Sequence, residues 1–202
     1  MSDLSRKIEA LIFASAEPVG DHVIRALVEG QGGDPAESSA LVPTLIAAIR
    51  GRYEDHGVEL VEVAKGWQFR TRPELAGALT TVVEKPRRLS RAAMEALAVI
   101  AYHQPCTRAE IEAIRGVTLS QTVLDALLED GLIVPKGRKD VPGRPVLWGT
   151  SARFLAAFGL RDLAALPRRE ELLVDPAALV EAPEPEPETE TQPETGAKTD
   201  DV

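Results

Sequence analysis

The residues best suited to chemistry in this 202-residue chain are three histidines and one cysteine: His22, His56, His103 and Cys106. His103 and Cys106 are three positions apart, but a proline lies between them and no further ligand follows at the spacing of a metal site. The sequence has no glycine-rich phosphate loop with its Lys-Ser/Thr pair and no serine elbow. It therefore predicts no catalytic, cofactor-binding or metal-binding residues, and a protein that is not an enzyme.

A cluster of cations is suited to binding instead. It consists of Lys136, Arg138, Lys139 and Arg144. They occupy one stretch rich in glycine and proline, in which Asp140 is the only acid. Such a loop can contact an acidic protein segment or the DNA backbone, or it can be a solvated turn whose shape is set by its glycines and prolines. Nearby Trp148 either packs in a core or presents a contact for a partner. The predicted partner-binding residues are Arg138, Lys139, Arg144 and Trp148.

The elements that must position these residues occur in the same order twice. In the first half, Leu4, Ile8 and Leu11 have helical spacing, Asp21 is expected to cap a second helix, and a third is expected to have Pro43 in its first turn. Residues 58–63 and 67–71 then alternate as the strands of a hairpin.

The second half has clearer boundaries. Ser90 caps a helix, Thr107 and Glu110 form a capping box, and Ser120 caps a third helix. Strands are expected at 132–134 and 146–148, followed by a final helix that starts at Thr150 or Ser151. Three helices followed by a hairpin is the winged-helix order. The predicted fold class is therefore α+β, mainly helical, with two tandem winged-helix domains.

The net charge of the last 33 residues differs from that of the rest of the chain. Residues 170–202 contain eleven acidic residues against Lys198 and have a net charge of −10, whereas residues 1–169 have a net charge of +1. Proline and glutamate alternate there, which predicts a disordered acidic tail that solubilises the chain, binds a partner or mimics DNA. The single cysteine, the acidic N-terminal residues and the lack of a long apolar run predict a cytoplasmic protein without membrane association.

The third helix of each half bears on DNA binding. Winged helices commonly place this helix in the major groove, where basic and amide side chains contact bases and phosphates. Between Ser120 and Gly131 there is no cation, and Asp125, Glu129 and Asp130 would face phosphate. This composition favours a protein-binding module over the alternative, a winged-helix transcriptional regulator that binds DNA.

Several motifs resemble the segregation and condensation protein B family. In the second half they are LSRAAMEALAVIAYHQP at 89–105, TRAEIEAIRGV at 107–117, GRKDVPGRP at 137–145 and WGT at 148–150; in the first half they are GVELVEV at 57–63 and WQFRT at 67–71. The resemblance covers roughly residues 4–167.

The resemblance implies a nucleoid-associated homodimer that binds a kleisin, segregation and condensation protein A, and through it the SMC ATPase, with DNA contacted indirectly or weakly. It implies a first winged-helix domain at 1–85 for dimerisation and a second at 86–169 for kleisin binding, before the tail at 170–202. The first helix is apolar on more than one face, so Ala10 and Phe13 are the predicted dimer contacts. A general scaffold without an SMC connection remains an alternative, because the partner comes from the resemblance alone.

Overall fold

The computed structural model describes residues 3–32, 35–79 and 89–168, which form a mixed α and β fold. The first half, residues 3–79, contains α1 (Asp3–Ala14), β1 (Val19–Gly20), α2 (Asp21–Glu29), α3 (Pro35–Arg52), β2 (Val58–Val63), β3 (Gly66–Thr71) and α4 (Pro73–Leu79). The second half, residues 89–166, contains α5 (Arg91–His103), β4 (Cys106–Thr107), α6 (Arg108–Arg115), α7 (Gln121–Glu129), β5 (Ile133–Arg138), β6 (Val146–Thr150), α8 (Ala152–Ala157) and a 3-10 turn, Leu163–Ala165. The predicted domain boundary at 85/86 and the acidic tail at 170–202 lie outside the described residues.

Each half contains one antiparallel three-stranded sheet. The strand order is β1-β3-β2 in the first half and β4-β6-β5 in the second. Val63 pairs with Gly66, which leaves residues 64–65 as a two-residue turn and confirms the predicted hairpin. The strands β1 and β4 were not predicted, because two residues are too short to show alternation and their partner strand lies far away in the sequence.

The two halves bury separate apolar clusters. The first cluster combines α1, α2, α3 and β2 through residues that include Ile8, Ile12, Ile24, Val28, Ile46, Ile49 and Leu60. The second combines α5, α6, α7 and β5 through residues that include Leu97, Ile100, Ile111, Leu124, Leu127 and Ile133. Each sheet therefore covers the apolar faces of the helices in its own half.

Two expectations for the first half were wrong. The third helix begins at Pro35, so Pro43 lies inside it rather than in its first turn. Val42 and Ile46 are both buried at helical spacing, and this burial offsets the hydrogen bond that a proline removes from a helix. Asp21 does not cap α2, whose N-cap is Gly20; its carboxylate instead accepts a hydrogen bond of 2.9 Å from Trp67 Nε1 on β3.

The helix starts predicted for the second half are confirmed. Ser90, Ser120 and Ser151 each accept a hydrogen bond from the third backbone amide beyond them, which begins α5, α7 and α8. α6 ends at Gly116, whose φ of 70° is left-handed, a conformation that glycine adopts without steric cost. Local polar groups therefore determine where these helices begin and end.

The capping box at the start of α6 also contacts Lys139, which directly follows β5. Glu110 Oε2 accepts hydrogen bonds from the Thr107 amide at 2.7 Å and the Thr107 hydroxyl at 2.9 Å. Glu110 Oε1 accepts one from Lys139 Nζ at 2.6 Å. These donors lower the pKa of Glu110 from its ordinary value of 4.5 to about 2, with the Lys139 hydrogen bond as the largest cause.

This network predicts a pH-dependent contribution to stability. A carboxyl whose pKa is depressed by folding stabilises the native state above about pH 4.5, and this contribution is lost as the pH falls through about 2. We expect Glu110→Gln to lower the free energy of unfolding at pH 7, because an amide can cap the helix but cannot carry the charge that faces Lys139.

The measurement is urea denaturation of both proteins between pH 7 and pH 2. The difference between them should stay constant from pH 7 to about pH 4.5 and shrink as the pH falls from there to about 2. Glu129→Gln, at an exposed carboxylate on α7, is the control that removes the same charge without this network. A difference that stays constant down to pH 2 would contradict the role given to Glu110.

Candidate partner-binding site

The predicted basic stretch comprises the last residues of β5 and the turn that leads to β6. We define the basic loop as residues 136–145. Its two sides are joined by hydrogen bonds from the Arg138 guanidinium to the Arg144 carbonyl at 3.0 Å and from the Lys139 amide to the Pro145 carbonyl at 2.9 Å. Gly137 and Gly143 have φ values of 117° and 84°, which only glycine adopts readily. The glycines therefore permit a tight return that displays the loop's side chains outward.

The positive charge of the basic loop is largely unneutralised. Lys139 forms an ion pair with Glu110 at 2.6 Å. Lys136, Arg138 and Arg144 are exposed, and among the described residues none of them lies within ion-pair distance of a carboxylate. Three cations on one short loop produce a local positive potential that attracts an anionic partner. The three basic residues that the sequence analysis predicted, Arg138, Lys139 and Arg144, all lie on this loop, and Lys139 is the one whose charge is neutralised.

Trp148 occupies a different environment. It lies on β6, opposite Cys106 of β4 and Pro135 of β5. Its side chain is partly buried and packs against the apolar cluster of the second half. Trp148 thus supports the sheet that carries the basic loop, and its predicted contact with a partner stays a prediction.

The third helix of the second half presents an acidic face. Asp125, Glu129 and Asp130 are exposed and line a groove of about 530 Å³ beside the start of α5. Gln121 Nε2 donates to Asp125 Oδ1 at 2.8 Å, so this amide is already engaged within the helix. Carboxylates on this face would repel phosphate, which argues against α7 as a DNA-recognition helix.

A second candidate surface lies on α1 in the first half. Phe13 is 81% exposed, an unusual degree for a large apolar residue, and Ala10 is exposed beside it. Together with Arg6, Arg52 and Tyr53 they line a groove of about 330 Å³. The two predicted dimer residues therefore lie on one surface, as the helical spacing of the sequence requires.

One polar cluster in this groove was not predicted. Glu9 accepts a hydrogen bond from the Tyr53 hydroxyl at 2.5 Å and forms an ion pair with Arg52 at 2.7 Å. The hydrogen bond to Glu9 raises the pKa of Tyr53 above its ordinary value. More than 40 positions separate Glu9 from its partners, so no local pattern in the sequence could have indicated this cluster. It joins α1 to the end of α3.

The residues first considered for chemistry do not assemble into a site. Within residues 3–32, 35–79 and 89–168, no three His, Cys, Asp or Glu side chains are placed to hold a metal ion. His56 lies 5.0 Å from the Tyr53 ring, centroid to centroid. Cys106 is buried on β4, and burial raises the pKa of its thiol, which makes it a poor nucleophile.

In the part of the chain that the structure describes, no helix has the length and apolarity needed to cross a membrane.

Comparison with known proteins identifies the family. The family model for the segregation and condensation complex subunit ScpB matches residues 6–169. Segregation and condensation protein B of Desulforamulus reducens is 42% identical over 83% of this chain and 90% of its own length, and that of Syntrophotalea carbinolica is 46% identical over 84% and 83%. The crystal structure of ScpB from Mycobacterium tuberculosis aligns at 31% identity over 78% of this chain and 96% of that chain, with a TM-score of 0.35. The matching family model and these relatives show that the chain belongs to the segregation and condensation protein B family.

Proposed function

We propose that this chain is a non-enzymatic, dimeric accessory subunit that binds the kleisin of a bacterial SMC complex and supports chromosome condensation and partition during cell division. It acts in the cytoplasm at the nucleoid and contacts DNA indirectly or weakly. The repeated order of three helices and a hairpin supports two tandem winged-helix domains, at residues 1–85 and 86–169. The kleisin is the partner that family membership implies.

The observation that carries the binding role is the basic loop. It presents the exposed cations Lys136, Arg138 and Arg144, and hydrogen bonds across the loop hold its shape. A preorganised charged loop loses little conformational freedom when it binds, so more of the interaction energy appears as affinity. An acidic segment of the kleisin is the complementary ligand.

The charges of the second half disfavour the alternative, a DNA-binding transcriptional regulator. Sequence-specific recognition requires a helix whose side chains donate to bases and phosphates. α7 instead exposes Asp125 and Glu129, and its C-cap Asp130 is exposed as well. A contact between DNA and the basic loop would be non-specific and would weaken steeply with salt.

The α1 surface supports self-association. Phe13 and Ala10 combine an exposed aromatic ring with a small residue that permits close approach of a second helix. In a two-fold symmetric dimer the same surface faces itself. The first half would then form the dimer, which leaves the basic loop of each second half available to the kleisin.

Charge reversal in the basic loop should weaken kleisin binding. We expect Arg138→Glu combined with Arg144→Glu to raise the dissociation constant for the purified kleisin at least about tenfold, since losing about 1.4 kcal/mol changes affinity by that factor. The measurement is isothermal titration calorimetry at moderate salt.

The control is Arg91→Glu, which makes one charge reversal of the same type on the exposed start of α5. It should leave the affinity unchanged. Equal affinities for the loop variant and the wild type would contradict the assignment of the loop. Purification from the protein's own cells in nuclease-treated extract tests the function itself: DNA or transcription machinery without a kleisin would instead support the regulator.

A charge placed on the α1 surface should disrupt the dimer. We expect Ala10→Glu to shift the mass measured by light scattering from twice the 21.7 kDa chain towards one chain, because an interface cannot bury an unpaired carboxylate without a large cost. Ala113→Glu, at an exposed alanine of α6, is the control. A dimer that survives Ala10→Glu at micromolar concentration would exclude this surface as the interface.

A further inference from the structure

The turn between β2 and β3 reaches from the first half to the second. The Ala64 amide donates to the Leu160 carbonyl at 2.9 Å, and the Lys65 amide donates to the Arg161 carbonyl at 3.1 Å. In a two-residue hairpin these two amides have no partner within the hairpin and usually bind water. Here they bind two consecutive carbonyls that follow Gly159, a residue with a left-handed φ of 68°.

The conformation of this turn is unusual for its residues. Ala64 and Lys65 have φ values of 50° and 58°, a region that favours glycine and asparagine and disfavours residues with a Cβ. Such conformations persist where surrounding contacts determine them. The hydrogen bonds to Leu160 and Arg161 are contacts of this kind, because they fix both peptide units of the turn.

Side chains reinforce the same junction. Arg70 on β3 donates to the Ala156 carbonyl near the end of α8, and its guanidinium is oriented by Gln68 Oε1 at 3.1 and 3.2 Å. Arg161 forms an ion pair with Glu62 on β2 at 3.2 Å. The hydrogen bond from Arg70 to Ala156 and the ion pair of Arg161 with Glu62 both join the β2–β3 hairpin to residues 156–161.

The surroundings of the junction are open. Cavities of about 420 and 560 Å³, each lined by residues of both halves, lie next to the turn. Among the residues that the structure describes, the buried apolar clusters of the two halves have no member in common. A polar contact without a continuous apolar interface can open and close without unfolding either half.

We propose that residues 62–70 and 156–161 form a clasp that fixes the orientation of the two halves and opens as a unit. When it is closed, it sets the distance between the α1 surface and the basic loop. The consequence for kleisin binding rests on the proposed function: a kleisin segment that contacts both halves would bind tightly only to the orientation it fits. The clasp itself is a property of the chain without a partner.

Amide hydrogen exchange on the full chain tests the clasp directly. In the wild type we expect protection of the Ala64 and Lys65 amides, which would exchange freely at the tip of an isolated hairpin. Arg70→Ala with Arg161→Ala should accelerate their exchange on the order of tenfold while the core amides of both halves stay protected. Arg153→Ala, which removes another arginine from the lining of the same cavity, is the control and should leave the exchange rates unchanged. Arg70→Lys with wild-type Arg161 should preserve part of the protection.

A distance measurement gives the second result. Spin labels are placed at Glu54→Cys and Asp125→Cys, both exposed, in labelled chains diluted with unlabelled chains so that only distances within one chain contribute. The distance distribution should be narrow in the wild type and should broaden in the double arginine variant. Unprotected tip amides in the wild type, or an unchanged distribution in the variant, would overturn the proposal. Both measurements omit the kleisin, so a failure of the proposed function would be seen separately as absent kleisin binding.

Discussion

The structure depends on burying the apolar faces of helices that are too short to be stable alone. α2, α6 and α7 contain nine, eight and nine residues, below the length at which isolated helices persist in water. Each must therefore pack against its neighbours, and in each half three helices place isoleucines, leucines and valines in a common cluster that a three-stranded sheet closes. The ends of the two hairpins, the β2–β3 turn and the basic loop, lie outside these two small cores. It is these hairpins that carry the basic loop and the contact between the halves.

In the second half, α7 is acidic and the basic loop is positively charged. The acidic residues of α7 and of its C-cap are exposed, and the cations of the basic loop are exposed after the start of β5. Glu110 lies between the capped start of α6 and the loop, and it connects the two through Thr107 and Lys139. One carboxylate thereby stabilises a helix terminus and holds one side of the loop. The neutralisation of Lys139 leaves Lys136, Arg138 and Arg144 as the charges available to a partner.

Much of the architecture was predictable because short-range physical chemistry determines it. The caps at Ser90, Ser120 and Ser151 and the capping box at Thr107 depend on groups three residues apart, so they are visible in the sequence. The two hairpins are visible because alternation and turn residues are local patterns. The exposure of Phe13 follows from the same reasoning, since a helix with apolar residues on more than one face cannot bury all of them in one core. Family membership was predictable for a related reason, because each of its motifs is an uninterrupted stretch of the sequence.

What the sequence determined by itself was therefore the type and order of most of the elements, the position of the basic loop and the exposed aromatic residue on α1. Only the tertiary structure decided which distant groups meet. The hydrogen bond from Trp67 to Asp21, the cluster of Glu9 with Arg52 and Tyr53, and the strands β1 and β4 all depend on such contacts. So does the docking of the Ala64 and Lys65 amides on residues 160 and 161. The physical reason is that these contacts join groups separated by many residues, and their geometry is set by the packing of whole elements rather than by any pattern within one.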